Sequence, residues 1–258
     1  MDKKNTAGNS EAYLTARRLM LGQRLRKTFG NVVSYGPLKG FRMAETQTWG
    51  HSADVGVQLV GFYEKEVLDA VCGGGRRYRC LVNLGAGDGY YGVGLVKAGI
   101  AQRSICFESN PESRAAITAC ADLNGVADHV AVLETADHDF LDRIGLQDED
   151  LGECLFIIDI EGGEFGLLDG VNLQRLRRAE MIVELHGFVI ADDPGIEQRF
   201  LARLGDVFDC SMLMTGARDP SRIAEMASWN DSDRWLSCSE GRPCLMRWVH
   251  CQPHVGQQ

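Results

Sequence analysis

Short apolar runs and helix-like stretches alternate along most of this chain. From Arg79 onward, runs suited to strands occur at Cys80–Leu84, Ser104–Glu108, Val130–Leu133, Leu155–Ile160, Met181–Leu185, Val207–Met212 and Leu245–His250. Between them, stretches at 89–98, 111–123, 139–145, 163–169 and 193–204 carry helical spacing. Unbroken apolar strands are buried on both faces, and their alternation with helices implies a parallel sheet covered on both sides. The pattern predicts an α/β protein with a doubly wound, seven-stranded sheet. Residues 1–78 stand outside the alternation as a partly helical N-terminal extension, and 79–258 form the main domain. Within the extension, Glu11–Phe29 places Leu14, Leu21 and Leu25 at helical spacing. Residues 214–243 form a long polar connection holding Trp229 and Trp235, and connections of this kind more often cover a site than merely turn the chain.

Composition narrows the class. A chain of 258 residues, 45% hydrophobic and 24% charged, is one sizeable globular unit with enough core to fold without metal or disulfide staples. Its nine cysteines, an odd number without a C-x-x-C pair, read as buried thiols of a reducing compartment. No apolar run approaches the roughly 20 residues that span a bilayer, and Met1 to Asn5 open no signal-peptide core, so a cytoplasmic protein is expected. The net charge of -9 is uneven: residues 1–30 are basic, and everything after them is strongly acidic. An acidic body argues against nucleic acid as partner. The basic stretch either meets an anionic partner or packs on the body as a solvated helix.

The densest chemistry follows the first strand, in Asn83-Leu84-Gly85-Ala86-Gly87-Asp88-Gly89-Tyr90-Tyr91-Gly92. Glycines after a strand allow a tight turn and close approach of a ligand. Gly87, Gly89 and Gly92 match the dinucleotide pattern G-x-G-x-x-G by letter. The strand, however, ends at Leu84, and in that register Tyr90 stands where the third glycine belongs. Asp88 would also face a diphosphate with a carboxylate, whereas a cationic, phosphate-free ligand such as S-adenosylmethionine suits it (opposite charges about 4 Å apart gain roughly 4 kcal/mol at intermediate dielectric). Glu108, at the end of the second strand before Ser109 and Asn110, is placed to accept two ribose hydroxyls, a feature common to NAD and S-adenosylmethionine sites. Ala136-Asp137 after the third strand could meet an adenine amine, and Tyr63, before a helix start at Glu64, is a further cofactor or substrate contact.

Acids also gather at later strand ends. Asp159 and Glu161 share one side of their strand end, Glu184 and His186 one side of theirs, and in a doubly wound sheet these tips open where ligands bind. Transfer of a group to an oxygen requires removal of a proton, which suits His186 as general base; it could instead be a structural hydrogen-bonder or, with Asp159 and Glu184, a ligand of a divalent metal. Trp49, His51 and Asp54 could line a pocket.

The chain resembles class I S-adenosylmethionine-dependent methyltransferases and, among them, the FkbM-like family. The resemblance covers about residues 60–250. It rests on the glycine loop, Phe107-Glu108-Ser109-Asn110-Pro111, Asp159-Ile160-Glu161-Gly162-Gly163-Glu164, Glu184-Leu185-His186 and the tail Arg242-Pro243-Cys244-Leu245-Met246-Arg247-Trp248. It departs mildly at Gly163, where the family usually has Ala. The resemblance implies a Rossmann-like methyltransferase fold with a reversed last hairpin, and methyl transfer to a hydroxyl of a sugar, secondary metabolite or other small molecule. On this reading Asn83, Gly85, Ala86, Gly87, Asp88, Gly89, Tyr90, Glu108, Ser109, Asn110, Ala136, Asp137, Asp159 and Tyr63 hold the cofactor, and His186, Asp159 and Glu184 are catalytic. Acceptor choice falls to Gly36–Asp54, and a homodimer is one arrangement the chain could take. An NAD-dependent oxidoreductase and a non-catalytic cofactor-binding scaffold are the competing readings.

Overall fold

The computed structural model describes residues 3–45, 52–242 and 244–254; Trp49, His51 and Pro243 lie outside the described residues. The helices are α1 Lys3–Phe29, α2 Val55–Leu59, α3 Lys65–Gly73, α4 Gly94–Lys97, α5 Pro111–Asn124, α6 Phe140–Arg143, α7 Glu164–Leu167, α8 Gly170–Leu176, α9 Ile196–Gly205 and α10 Asp231–Ser237. The strands are β1 Tyr78–Leu84, β2 Ala101–Phe107, β3 Val130–Leu133, β4 Cys154–Ile158, β5 Glu180–Glu184, β6 Phe208–Met214 and β7 Arg247–Pro253. They form one sheet in the order β3-β2-β1-β4-β5-β7-β6. Strands β1 to β5 pair in parallel, and β7 runs antiparallel to both β5 and β6. The seven-stranded α/β architecture and its reversed last hairpin are as expected.

Side-chain alternation divides the core between the two faces of the sheet. From β1, Leu81 packs on one face with Ile157, Ile182 and Trp248, while Cys80, Val82 and Leu84 pack on the other with Phe156, Met181 and Val183. Every residue of β4 and β5 is buried, which is why those strands read as plain apolar runs. The N-terminal extension belongs to the first face: Leu21 and Leu25 of α1, Val57 and Leu59 of α2 and Leu68 of α3 join its core. No gap in packing separates them from the sheet.

Three of the four arginines of α1 are engaged inside the chain. Arg17 donates to Asp233 of α10 at 2.8 and 2.5 Å, Arg18 pairs with Asp54 and reaches the Glu240 carbonyl at 2.9 Å, and Arg24 lies 4.1 Å over the Trp229 ring. The basic stretch thus pins the long connection before β7. That connection carries α10, which polar composition hid: Asn230 caps it by accepting from the Asp233 amide at 2.9 Å.

Several boundaries shift for local reasons. The helix expected at 89–98 is mostly turns, with α4 only at its end, because the glycine loop bends the chain first. The helix expected at 163–169 is the short α7, after which Asp169 caps a separate α8 by accepting from the Val171 and Asn172 amides. Six of the nine cysteines are buried, but Cys210 and Cys244 are exposed, since β6 is an edge strand and Cys244 precedes β7.

What sets the site is the approach of the β1 and β4 tips. The Asp159 amide donates to the Leu84 carbonyl at 2.9 Å, and Gly85 turns away with φ +75°, where a Cβ would sit 1.7 Å from the Asp159 carbonyl oxygen. Only glycine fits there. Leu25→Ala, removing a fully buried side chain from α1, is expected to lower the unfolding free energy of the whole chain by about 2–5 kcal/mol in a single transition. Urea denaturation followed at both far-ultraviolet and tryptophan signals checks this; a separate early transition would mean that the extension folds alone.

Candidate active site

Four amides of the glycine loop have partners within the chain. Gly85 and Ala86 donate to the Phe107 carbonyl at 2.9 and 3.0 Å, Gly89 donates to the Ala86 carbonyl at 2.9 Å, and Gly87 donates to Glu108 Oε2 at 2.9 Å. The other oxygen of Glu108 accepts from the Asn110 amide at 2.8 Å. Glu108 is therefore a buried carboxylate fixed by backbone on both sides, at the mouth of a cavity of about 470 Å³. These four amides, which a bound diphosphate would have to recruit, already have partners.

Of the expected cofactor residues, Gly85, Glu108, Ser109, Ala136, Asp137 and Asp159 line this cavity, joined by His138, Ile160 and Glu161. Asn83 lies beneath the loop, its amide nitrogen donating to the Ile157 carbonyl at 3.3 Å. Ala86, Gly87, Gly89 and Asn110 frame the cavity without lining it. Asp88 and Tyr90 are elsewhere: they line a separate cleft of about 20 Å³ against Phe41 and Met43. Asp88 is thus not the carboxylate that gives the cavity its charge. The acids that line it are Glu108, Asp137, Asp159 and Glu161, of which Asp137 accepts from Arg143 at 3.1 Å, so the lining carboxylates sit at the strand ends rather than in the loop.

Beyond Asp159 the strand ends close around His186, which is buried. Its Nε2 lies 3.6 Å from Asp159 and 3.5 Å from Glu161, and its Nδ1 lies 3.4 Å from Glu164. Glu164 is wholly buried and holds this corner together, accepting from the His186 amide at 2.9 Å and the Gly162 amide at 2.8 Å. Burial pushes the His186 ring toward neutrality, but Glu164, Asp159 and Glu161 outweigh it and raise its pKa above the usual value. Burial, reinforced by Glu64, lifts Asp159 to about 7; burial, reinforced by Asp159 and Glu64, lifts Glu184 to about 11. Asp159 Oδ1 and Glu184 Oε2 are both buried without a hydrogen-bond partner, and a proton held between such carboxyls relieves both.

Arg242 answers part of this negative charge, and sequence reasoning gave it no role. Its guanidinium reaches Glu184 and Glu240 at 3.1 Å each, pairs with Glu64, and lies 5.6 Å from the centre of the Tyr63 ring. Glu64 also accepts from the Tyr91 hydroxyl at 2.7 Å. Tyr63 packs edge-on against Tyr90, with ring centres 5.3 Å apart, beside this ion network and away from the lined cavity. Arg242 stood in the tail segment that carried the family resemblance; a lone arginine in a polar connection offered no other sign. Glu64 and Glu161 are the only non-glycine residues with positive φ among the described residues, at 42° and 54°, and both bring carboxylates to this site.

Asp159, Glu184 and His186 each bring one ligand atom to within 4.8 Å of the others, a spread a divalent ion could bridge. Glu184, however, already faces the Arg242 guanidinium, so the cluster's charge is met by an arginine and by protons.

No family model matches the chain, and no curated protein matches it. Among solved structures it is similar to the O-methyltransferase from Bacillus cereus in complex with SAH (13% identity, TM-score 0.47, 74% of this chain and 80% of that one). It is also similar to cofactor-bound Rv0187 from MTB (14% identity, TM-score 0.47, 92% and 89%). A third is the B. subtilis M1A22 tRNA methyltransferase TrmK (9% identity, TM-score 0.44, 71% and 64%). Likenesses this distant bear on neither activity nor acceptor. Among the described residues no helix is long and apolar enough to cross a membrane.

Because Glu164 favours the imidazolium, Glu164→Gln is expected to lower the His186 pKa. Titration of the histidine ring signals by NMR reads the shift; an unchanged midpoint would show that Glu164 only positions the backbone.

Proposed function

We propose that the chain is an S-adenosylmethionine-dependent methyltransferase that methylates a hydroxyl of a small molecule. The observation that carries this reading is an acid-lined cavity beside a glycine loop with four amides already satisfied. Such a cavity suits an adenosyl ligand bearing positive charge and disfavours the diphosphate of NAD. When bound, S-adenosylmethionine supplies an electrophilic methyl group on a sulfonium.

The chain's own residues divide the remaining work. Glu108 accepts from the ribose hydroxyls, with Ser109 and Asn110 beside it, and Ala136-Asp137 border the adenine. Asp159, with its unpartnered oxygen, attracts the cationic methionine part, and Tyr63 packs over the Arg242 network behind it. His186 is the group that takes the acceptor's proton, with Glu164 fixing its ring and Glu184 holding the acid network in place through Arg242. An acidic rim also suits a neutral or cationic small acceptor better than a polyphosphate such as RNA.

His186 must be neutral to accept a proton. Since its neighbours raise its pKa, turnover is expected to increase with pH along a limb centred above 6.5, the ordinary histidine value. His186→Gln should cut turnover by about 10²–10⁴-fold while leaving affinity for S-adenosylhomocysteine unchanged. S-Adenosylhomocysteine should raise the melting temperature, a ligand at a hundred times its Kd adding about 2.7 kcal/mol, and NADH should not. Stabilisation by NADH alone would replace the reading with an oxidoreductase; full activity of His186→Gln would take His186 out of the mechanism.

A further inference from the structure

We propose that Glu161 is the proton-exit residue of this site: it receives from His186 Nε2 the proton lost by the acceptor hydroxyl and delivers it to solvent. The inference rests on the methyltransferase reading for the source of that proton.

The need for an exit follows from burial. The His186 side chain is 3% exposed, so an imidazolium formed there has little direct contact with water. Three carboxylates surround the ring, and they differ in what they can do. Glu164, on the Nδ1 side, is 0% exposed and committed to two backbone amides, so it can orient the ring but has no route outward. Asp159, 3.6 Å from Nε2, borders the cavity but is only 19% exposed and is coupled to the inner network of Glu184, Glu64 and Arg242. Glu161, 3.5 Å from Nε2, is 52% exposed and lines the open cavity. Of the three, it is the one that combines contact with the reacting nitrogen and broad exposure to water, 52% against 19% for Asp159 and 0% for Glu164. From the other side the ring meets Phe188, with centres 5.8 Å apart, which offers no proton acceptor.

The backbone gives a second, independent observation. Glu161 adopts φ 54° immediately before Gly162 at φ 100°, in a turn where glycine would be the relaxed choice. The strain is kept where it holds a carboxylate against His186, as strain tends to be at working sites.

The step balances without a further reagent. The acceptor O–H bond breaks as its oxygen bonds the methyl carbon and the sulfonium C–S bond breaks, with that electron pair remaining on sulfur. The proton goes to Nε2. The Nε2–H bond then breaks as Glu161 Oε2 becomes a carboxylic acid, which loses its proton to water and restores both groups.

The test uses the full chain labelled with ¹⁵N-histidine, free and with S-adenosylhomocysteine, and measures the solvent-exchange rate of the His186 ring N–H. Glu161→Gln should slow that exchange at least tenfold, and added formate, small enough to enter the cavity, should restore it. Glu161→Gly should show the same slowing and the same rescue while equalling or exceeding the parent in thermal stability, because the backbone strain is gone. Unchanged exchange in Glu161→Gln, or slowing that formate leaves untouched, would overturn the proposal. Failure of S-adenosylhomocysteine to bind would instead strike the methyltransferase reading, since exchange in the free chain is measured independently of it.

Discussion

Negative charge at the carboxyl edge of the sheet, and the few cations set against it, govern this structure. Glu64, Glu184 and Glu240 converge on Arg242, and Glu240 and Glu66 also share Arg218. Ion pairs this buried are dear to desolvate and return little net stability, but breaking one leaves a charge stranded at a cost of about 3–5 kcal/mol. The network is therefore better understood as a positioning device than as a source of stability. It ties the segment before α3, the end of β5 and the approach to β7 to one guanidinium. The pieces that flank His186 come from distant parts of the chain and can hold their places only together.

That arrangement explains why the cavity is suited to a cation. Arg242 pairs with the inner acids and only partly offsets Asp159, and among the described residues no lysine or arginine lines the cavity. Asp159, whose pKa burial and Glu64 raise to about 7, either holds a proton or meets a positive ligand. A ligand bearing a sulfonium and an ammonium could take the place of that proton. The glycine loop works in the same direction by a different route. Four of its amides are consumed by Phe107, Ala86 and Glu108, so it offers shape and close approach rather than anion-binding hydrogens.

How much of this could be read from sequence depended on whether a residue's task was local. The central strands β1, β4 and β5 were legible because burial on both faces makes them largely apolar, and the half-buried edge strand β3 still falls where the pattern put it, at Val130–Leu133. Glu108, Asp159 and His186 were legible because strand ends in a doubly wound sheet share one edge. Asp88 was misplaced for the converse reason: its position in the loop was clear, but which way the loop turned it depended on packing against Phe41 and Met43 from the extension. Arg242 and Glu64 were hidden because their partners lie far off in the chain; 178 positions separate the two. Short α8 and α10 were hidden because capping by Asp169 and Asn230, rather than an apolar stripe, defines them.

The two strained carboxylates join these threads. A non-glycine residue in the left-handed region costs on the order of 1–3 kcal/mol, a sizeable share of the 5–15 kcal/mol that holds a typical domain together. Glu64 has a structural return for its strain, since it bonds Arg242 and Tyr91. Glu161 has none of that kind: it is half exposed, and its nearest polar partner is a buried imidazole 3.5 Å away. A pair 3.5 Å apart with one half-exposed partner and one that must be desolvated returns little net stability against that strain. Stability therefore does not account for Glu161, whereas the proposed proton exit would account for its placement beside His186 Nε2.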